Sequence, residues 1–158
     1  MSDSAVNQIR LEPVSISHAA LISEAEKRIF TSPWSENDIL RLCEEMCCTA
    51  TRVIGFCAYL GDSFSGYATM YCVAGEGQIN NIAVLPQFRR KGVGNALLTE
   101  LCGAARRAEL DVMFLEVRRS NFAAMSLYEK HGFVRIGERR GFYTAPVEDA
   151  ILLKRQLK

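Results

Sequence analysis

The sequence has no apolar run approaching the roughly 20 residues that a membrane-spanning helix requires. Its first residues, Met1 to Arg10, are polar and lack the apolar stretch of a secretory signal. An excess of charge of one sign is also missing, with 19 basic residues against 18 acidic ones. That balance argues against a broad nucleic-acid-binding face but leaves room for a local basic pocket. No repeat, low-complexity tract or linker interrupts the 158 residues, which is the span of one domain, 1–158, with a sizeable core. Apolar residues make up 49% of the chain and charged ones 23%, as in ordinary soluble proteins. The expectation is a cytoplasmic protein with no direct contact with nucleic acid or membrane.

Metal-binding and thiol-nucleophile patterns are absent too. The six cysteines are Cys43, Cys47, Cys48, Cys57, Cys72 and Cys102, and none forms a C-x-x-C pair. The only histidines, His18 and His131, are distant from them in sequence. No metal is expected, and the thiols read as reduced, mostly buried small hydrophobes.

Ile9 and Leu11 alternate with polar residues and predict a first strand ending near Pro13. Ser17 is placed to cap a helix running to about Phe30. Ser35 begins a second helix, with Ser35-x-x-Asp38 resembling a capping box and Glu36 and Asp38 in the first turn. Pro33 and Trp34 fall in the bend between the two. Thr51–Leu60 and Tyr67–Val73 predict a hairpin turned at Gly61-Asp62-Ser63, and a further strand spans Gln78–Val84. A helix is expected over Gly92–Ala108 and a short buried strand over Val112–Val117. Asn121 caps a helix ending at Gly132, and strands near Val134–Glu138 and Ala150–Leu157 finish the chain. This order predicts an α/β fold: a mixed, mostly antiparallel sheet of about seven strands with helices on both faces.

The most informative segment is Asn81-Ile82-Ala83-Val84-Leu85-Pro86-Gln87-Phe88-Arg89-Arg90-Lys91-Gly92-Val93-Gly94. A strand ends, a basic loop with two glycines follows, and a helix starts at once. Gly92 and Gly94 remove side chains where a ligand approaches the backbone. A helix N-terminus presents unpaired N–H groups and partial positive charge, so the loop reads as a pyrophosphate site. Glycines also occur in ordinary strand-to-helix turns, and the segment is neither a Walker loop nor a dinucleotide fingerprint.

Arg89-x-x-Gly92-x-Gly94 resembles the acetyl-coenzyme A signature of the GCN5-related N-acetyltransferase superfamily. Asn81-Ile82-Ala83-Val84 resembles the strand whose backbone pairs with the pantetheine arm in that family. The resemblance implies that this strand splays from Val112–Val117 and that acetyl-CoA, as cosubstrate, wedges between them.

A second cluster is Leu115-Glu116-Val117-Arg118 followed by Asn121 and Leu127-Tyr128-Glu129. Glu116 interrupts an apolar strand, and a carboxylate facing inward is costly unless paired or used. It reads either as a structural partner of an arginine such as Arg118 or as a general base. An α-amine is mostly protonated at pH 7 and must lose a proton before it attacks a thioester. Strand N–H groups near Val84 are placed to stabilise the resulting oxyanion. Tyr128 reads either as a core tyrosine or as the acid that protonates the departing thiolate.

The whole segment resembles the ribosomal-protein alanine N-acetyltransferases, which act on the N-terminal alanine of small-subunit protein S18. The resemblance implies Glu116 as base, Tyr128 as acid, and cofactor contacts at Ile82, Ala83, Val84, Arg90 to Asn95 and Asn121. Arg89, Lys91, Gly92, Val93 and Gly94 belong to the same loop. Pro33-Trp34-Ser35-Glu36 and Glu148-Asp149-Ala150 also fit, and the likeness runs from about Ile9 to Leu157. The pair Phe142-Tyr143 replaces two tyrosines, and Thr144-Ala145-Pro146-Val147 looks short. With Trp34, which reads equally as groove wall or core, these residues border the expected peptide groove. Two other readings remain on the sequence: acetylation of a small amine, which favours an acidic pocket, and a non-catalytic acyl-CoA sensor, which needs neither Glu116 nor Tyr128.

Overall fold

A computed structural model describes residues 8–48 and 52–158. Met1 to Asn7 of the polar leading segment, and Thr51 at the expected start of the second strand, lie outside the described residues. Seven strands form one sheet: β1 (Ile9–Pro13), β2 (Val53–Leu60), β3 (Ser63–Val73), β4 (Glu76–Val84), β5 (Val112–Arg118), β6 (Val134–Thr144) and β7 (Val147–Gln156). Four helices accompany it: α1 (Ala19–Ile29), α2 (Glu36–Met46), α3 (Val93–Arg107) and α4 (Phe122–Lys130). The strand order is β1-β2-β3-β4-β5-β7-β6, and every neighbouring pair is antiparallel except β4–β5.

Alternation along the central strands divides the core. Ala58, Ala68, Met70 and Ile79 turn to one face, where they meet Leu97, Leu98 and Leu101 of α3 and Tyr128 of α4. Cys57, Tyr67 and Ala83 turn to the other, against Ile22 of α1 and Ile39 and Cys43 of α2. The period of two in each strand thus assigns α1 and α2 to one side and α3 and α4 to the other. No helix among the described residues is long and apolar enough to cross a membrane.

Helix ends follow local chemistry. Ser35 Oγ accepts from Asp38 N at 3.1 Å, a cap worth about 1 kcal/mol. Asn121 Oδ1 accepts from Ala124 N at 3.2 Å, as expected. After α4, Gly132 takes a φ of +82°, Phe133 N donates to Tyr128 O and Gly132 N to Glu129 O. This is the Schellman arrangement, and it fixes the chain direction out of the helix that carries Tyr128. At the first helix the expectation fails. A 3-10 turn over Ile16–His18 precedes α1 and is capped by Ser15, whose N donates to His18 Nδ1 at 2.9 Å, and the N-cap position of α1 itself is His18, not Ser17.

Several strands are longer than expected. β3 begins at Ser63, β4 at Glu76, and β6 and β7 meet at a turn around Ala145-Pro146. Bulges in β6 between Arg135 and Gly137 and between Arg139 and Tyr143 disguise its alternation. Phe142 and Tyr143 therefore lie on a strand and not in a loop.

Candidate active site

β4 and β5 pair through only three positions: Glu76 with Val112, Gly77 with Met113 and Gln78 with Phe114. Beyond Gln78 the ladder stops, although both strands continue. The cause lies on the other edge of β4, where its register with β3 shifts. Met70 pairs with Ile79 and Thr69 with Asn81, so Asn80 is an extra residue. Such a bulge bends the strand and increases its local twist. The splay anticipated between these strands is therefore present and has a local origin.

The freed edge of β4 has a definite pattern. Leu85 N donates to Ser65 O on β3 at 2.9 Å. Alternation along the strand then turns the N–H groups of Ala83 and Asn81 toward β3, and those of Ile82 and Val84 into the gap. The strand fits closely against β3. A Cβ added to Gly66 would stand 2.3 Å from Ala83 O, so glycine is required there.

At the end of β4 the chain passes through a 3-10 turn (Pro86–Phe88) into Arg89–Lys91 and α3. Gly92 caps α3 with a φ of +87°, and Arg90 has a φ of +61°. The first helical bond runs from Ala96 N to Gly92 O, so the N–H groups of Val93, Gly94 and Asn95 have no helical acceptor. Arg90 and Lys91 are exposed. Val93 and Ala83 are buried in the core, at 1% and 2% exposure, so they offer a ligand only backbone. Arg89 folds back, its Nε donating to Val84 O at 3.2 Å. Gly94 serves helix packing, since an added Cβ would meet Leu127 Cδ2 of α4 at 3.3 Å. Asn95 accepts from His131 Nε2 through its side chain at 2.8 Å.

The gap opens into a cleft of about 820 Å³. Ile82, Arg89, Glu116, Asn121, Tyr128, Trp34, Phe142 and Tyr143 all line it. Residues expected on separate elements thus meet on one surface, while Arg90 to Asn95 and the side chains of Ala83 and Val84 are not among its lining residues. Trp34 is partly exposed and forms cleft wall.

Glu116 does not pair with Arg118. Its Oε1 lies 3.6 Å from Arg139 Nε, across β7. Arg118 instead holds the β6–β7 turn. It donates to Pro146 O at 3.0 Å and Ala145 O at 3.3 Å, pairs with Glu148 at 3.4 Å, and lies 4.3 Å over the Tyr143 ring. Glu148 also accepts from Ser120 N and Oγ, and these bonds hold its carboxyl below the usual carboxylate range. From the α1–α2 bend, Thr31 Oγ1 donates to Ala145 O at 2.6 Å, joining the two walls at the cleft mouth.

Tyr128 is 8% exposed, and no described residue lies within hydrogen-bonding distance of its hydroxyl. Burial, with the nearby Tyr143 adding to it, pushes its phenol up to about 12. Burial and the charge of Glu116 raise Tyr143 as well. Tyr143 lines the same cleft as the two residues singled out as acid and base.

Sequence reading missed a group on the opposite wall. Glu26 of α1 is 1% exposed and lines the cleft. It accepts from the Tyr67 hydroxyl, from Asn81 Nδ2 at 3.0 Å and from Trp34 N at 3.1 Å. Burial and the Glu26 charge raise Tyr67 well above the ordinary phenol range. The available signal was a glutamate on the apolar side of α1, between Ile22, Ala25 and Ile29. Of the cysteines, Cys43, Cys57 and Cys102 are buried as expected and Cys72 is half-buried, while Cys47 and Cys48 at the end of α2 are exposed.

Comparison with known proteins agrees with this geometry. The Acetyltransferase (GNAT) family model matches residues 19–133. The Escherichia coli (strain K12) [ribosomal protein bS18]-alanine N-acetyltransferase is 35% identical over 130 residues, covering 81% of this chain and 84% of the relative. The Mycobacterium tuberculosis N-alpha-acetyltransferase RimI is 32% identical over 155 residues, covering 91% and 93%. The crystal structure of the Escherichia coli ribosomal-protein-S18-alanine N-acetyltransferase superposes with a TM-score of 0.84 at 29% identity, covering 96% of this chain and 95% of that one. With its splayed strands, glycine-capped helix and matching sequence, this chain belongs to the GNAT family of acetyltransferases.

Proposed function

We propose that the protein transfers the acetyl group of acetyl-CoA to the N-terminal α-amine of a protein, the alanine of ribosomal protein S18, in the cytoplasm. The observation that carries this reading is the meeting of Glu116, Asn121 and Tyr128 at one cleft beside the free edge of β4. The likeness to relatives named for S18-alanine acetylation supports this choice of substrate.

The residues fit the cosubstrate. N–H groups at the start of α3, with Arg90 and Lys91 exposed beside them, suit a pyrophosphate. The inward N–H groups of Ile82 and Val84 suit an amide-bearing arm, and Asn121 borders the same gap. Acetyl-CoA supplies the thioester that the amine attacks. Glu116 takes the proton from the amine, directly or through water. The Val84 N–H stabilises negative charge that develops on the acyl oxygen. Tyr128, with its phenol near 12, stays protonated at neutral pH and donates to the departing thiolate. Trp34, Phe142 and Tyr143 border the path of the peptide.

The test is direct. The protein is incubated with acetyl-CoA and peptides that differ in their first residues, among them the S18 N-terminus and a peptide with a blocked α-amine and an internal lysine. Mass spectrometry then locates the acetyl group. The expected result is α-acetylation, strongest on the alanine-initiated S18 peptide. Modification of lysine or of small amines alone overturns the reading.

A further inference from the structure

Both cleft walls carry a carboxylate, but only one is neutralised. Glu116 faces Arg139 at 3.6 Å, so that wall has little net charge. Glu26 has no Lys, Arg or His nitrogen within 4 Å among the described residues. Its donors are all neutral: the Tyr67 hydroxyl, the Asn81 amide and the Trp34 backbone. Oε1 takes two of these bonds and Oε2 only one, which leaves an acceptor position open on Oε2. Neutral donors stabilise a carboxylate without cancelling its charge. At 1% exposure Glu26 is little screened by water, so its charge acts on whatever enters beside it. A charge this buried is costly unless something positive complements it.

A peptide α-amine arrives mostly as an ammonium at neutral pH. We infer that Glu26 is a specificity-determining and positioning residue, whose uncompensated charge on the wall opposite Glu116 selects and orients the ammonium form of the acceptor. The inference rests on the function proposed above. It divides the acid work of the cleft: Glu26 holds the cation, and Glu116, balanced by Arg139, takes its proton. The Trp34 bond ties the same carboxylate to the bend that forms the peptide wall, so recognition of the cation and shape of the groove are set by one side chain.

The test compares two peptides in the presence of coenzyme A, which cannot react. One begins with alanine. The other carries a propionyl group in its place and so lacks the amine. Wild type is expected to bind the amine peptide at least tenfold more tightly by calorimetry. The preference persists in Glu116→Gln and in Tyr67→Phe, which keeps the charge, and falls to within twofold in Glu26→Gln. A purely structural role for Glu26 would weaken both peptides equally and leave the ratio intact, which overturns the inference, as does loss of the preference in Glu116→Gln. Should Glu26→Gln not fold, the Glu116→Gln ratio decides alone: kept, it supports the inference; lost, it overturns it. Absence of any α-acetylation by wild type sinks the proposed function instead, whereas an active wild type with no preference between the peptides sinks only the role of Glu26.

Discussion

Arg139 reaches across β7 to Glu116, placing its Nε 3.6 Å from the carboxylate, while Arg118, two residues from Glu116 on the same strand, turns to the β6–β7 hairpin. The carboxylate is thus held by a neighbour on another strand, and its free oxygen borders the cleft. Glu116→Gln removes the base and keeps the shape. Turnover is expected to fall by roughly 10²–10⁴, with the rise of rate with pH flattened and peptide affinity largely kept. Steady-state kinetics over pH 6–9 check this, and a variant with wild-type rates contradicts the assignment.

The Tyr128 hydroxyl has no described hydrogen bond to lose, so Tyr128→Phe should leave the melting temperature nearly unchanged while lowering turnover. Because its phenol lies near 12, wild type should show no decline in rate from this group up to about pH 10. Rate measurements on both proteins, paired with thermal unfolding, separate a chemical role from a packing one.

Two glycines make contrasting stability predictions. A Cβ at Gly66 would press on Ala83 O at 2.3 Å, forcing β3 and β4 apart. Gly66→Ala should cost about 2–3 kcal/mol and lower Tm by roughly 5–10 °C. Gly141 has a φ of +60° and open space around it. Gly141→Ala should cost about 1–2 kcal/mol, from backbone conformation alone. Calorimetric melts decide both, and an unshifted Gly66→Ala contradicts the close fit of the two strands.

Alkaline stability follows from buried neutral groups. Burial pushes Cys43 up to about 11 and Cys57 to about 12, and Tyr128 also lies near 12. These folded-state values exceed those of the unfolded chain, so their contribution is complete below the unfolded pKa. It is lost as pH rises through about 9 to 12, at about 1.4 kcal/mol for each unit of difference. Tm should be level from pH 7 to 8.5 and then fall steadily. Cys57→Ala should lower Tm at pH 7 by leaving a small cavity and make the alkaline decline shallower.

Much of this was legible in the chain. Asn121 and Gly132 announce the ends of α4, because capping and left-handed conformations are local matters that a few residues settle. The glycine-capped turn into α3 is legible for the same reason. Arg139 as the partner of Glu116 was not, since it depends on bulges in β6 that shift its register against β7, across which Arg139 reaches. Nor was Glu26, whose partners Tyr67 and Asn81 stand 41 and 55 residues away. The start of α1 was not legible either, because a 3-10 turn closed by a histidine, not a carboxylate, precedes the helix.

The brevity of the β4–β5 ladder has a mechanical meaning for the whole molecule. Among the described residues, three residue pairs are the only ladder between a leaf of β1 to β4 and a leaf of β5, β7 and β6. Amides along the parted edges lack the partners that slow exchange elsewhere in the sheet. A ligand lying between the leaves supplies those partners and adds a second link along the seam to the core that both leaves already share under α3. Its binding should therefore be felt as a rise in unfolding cooperativity and in amide protection across the seam, far from any atom that reacts.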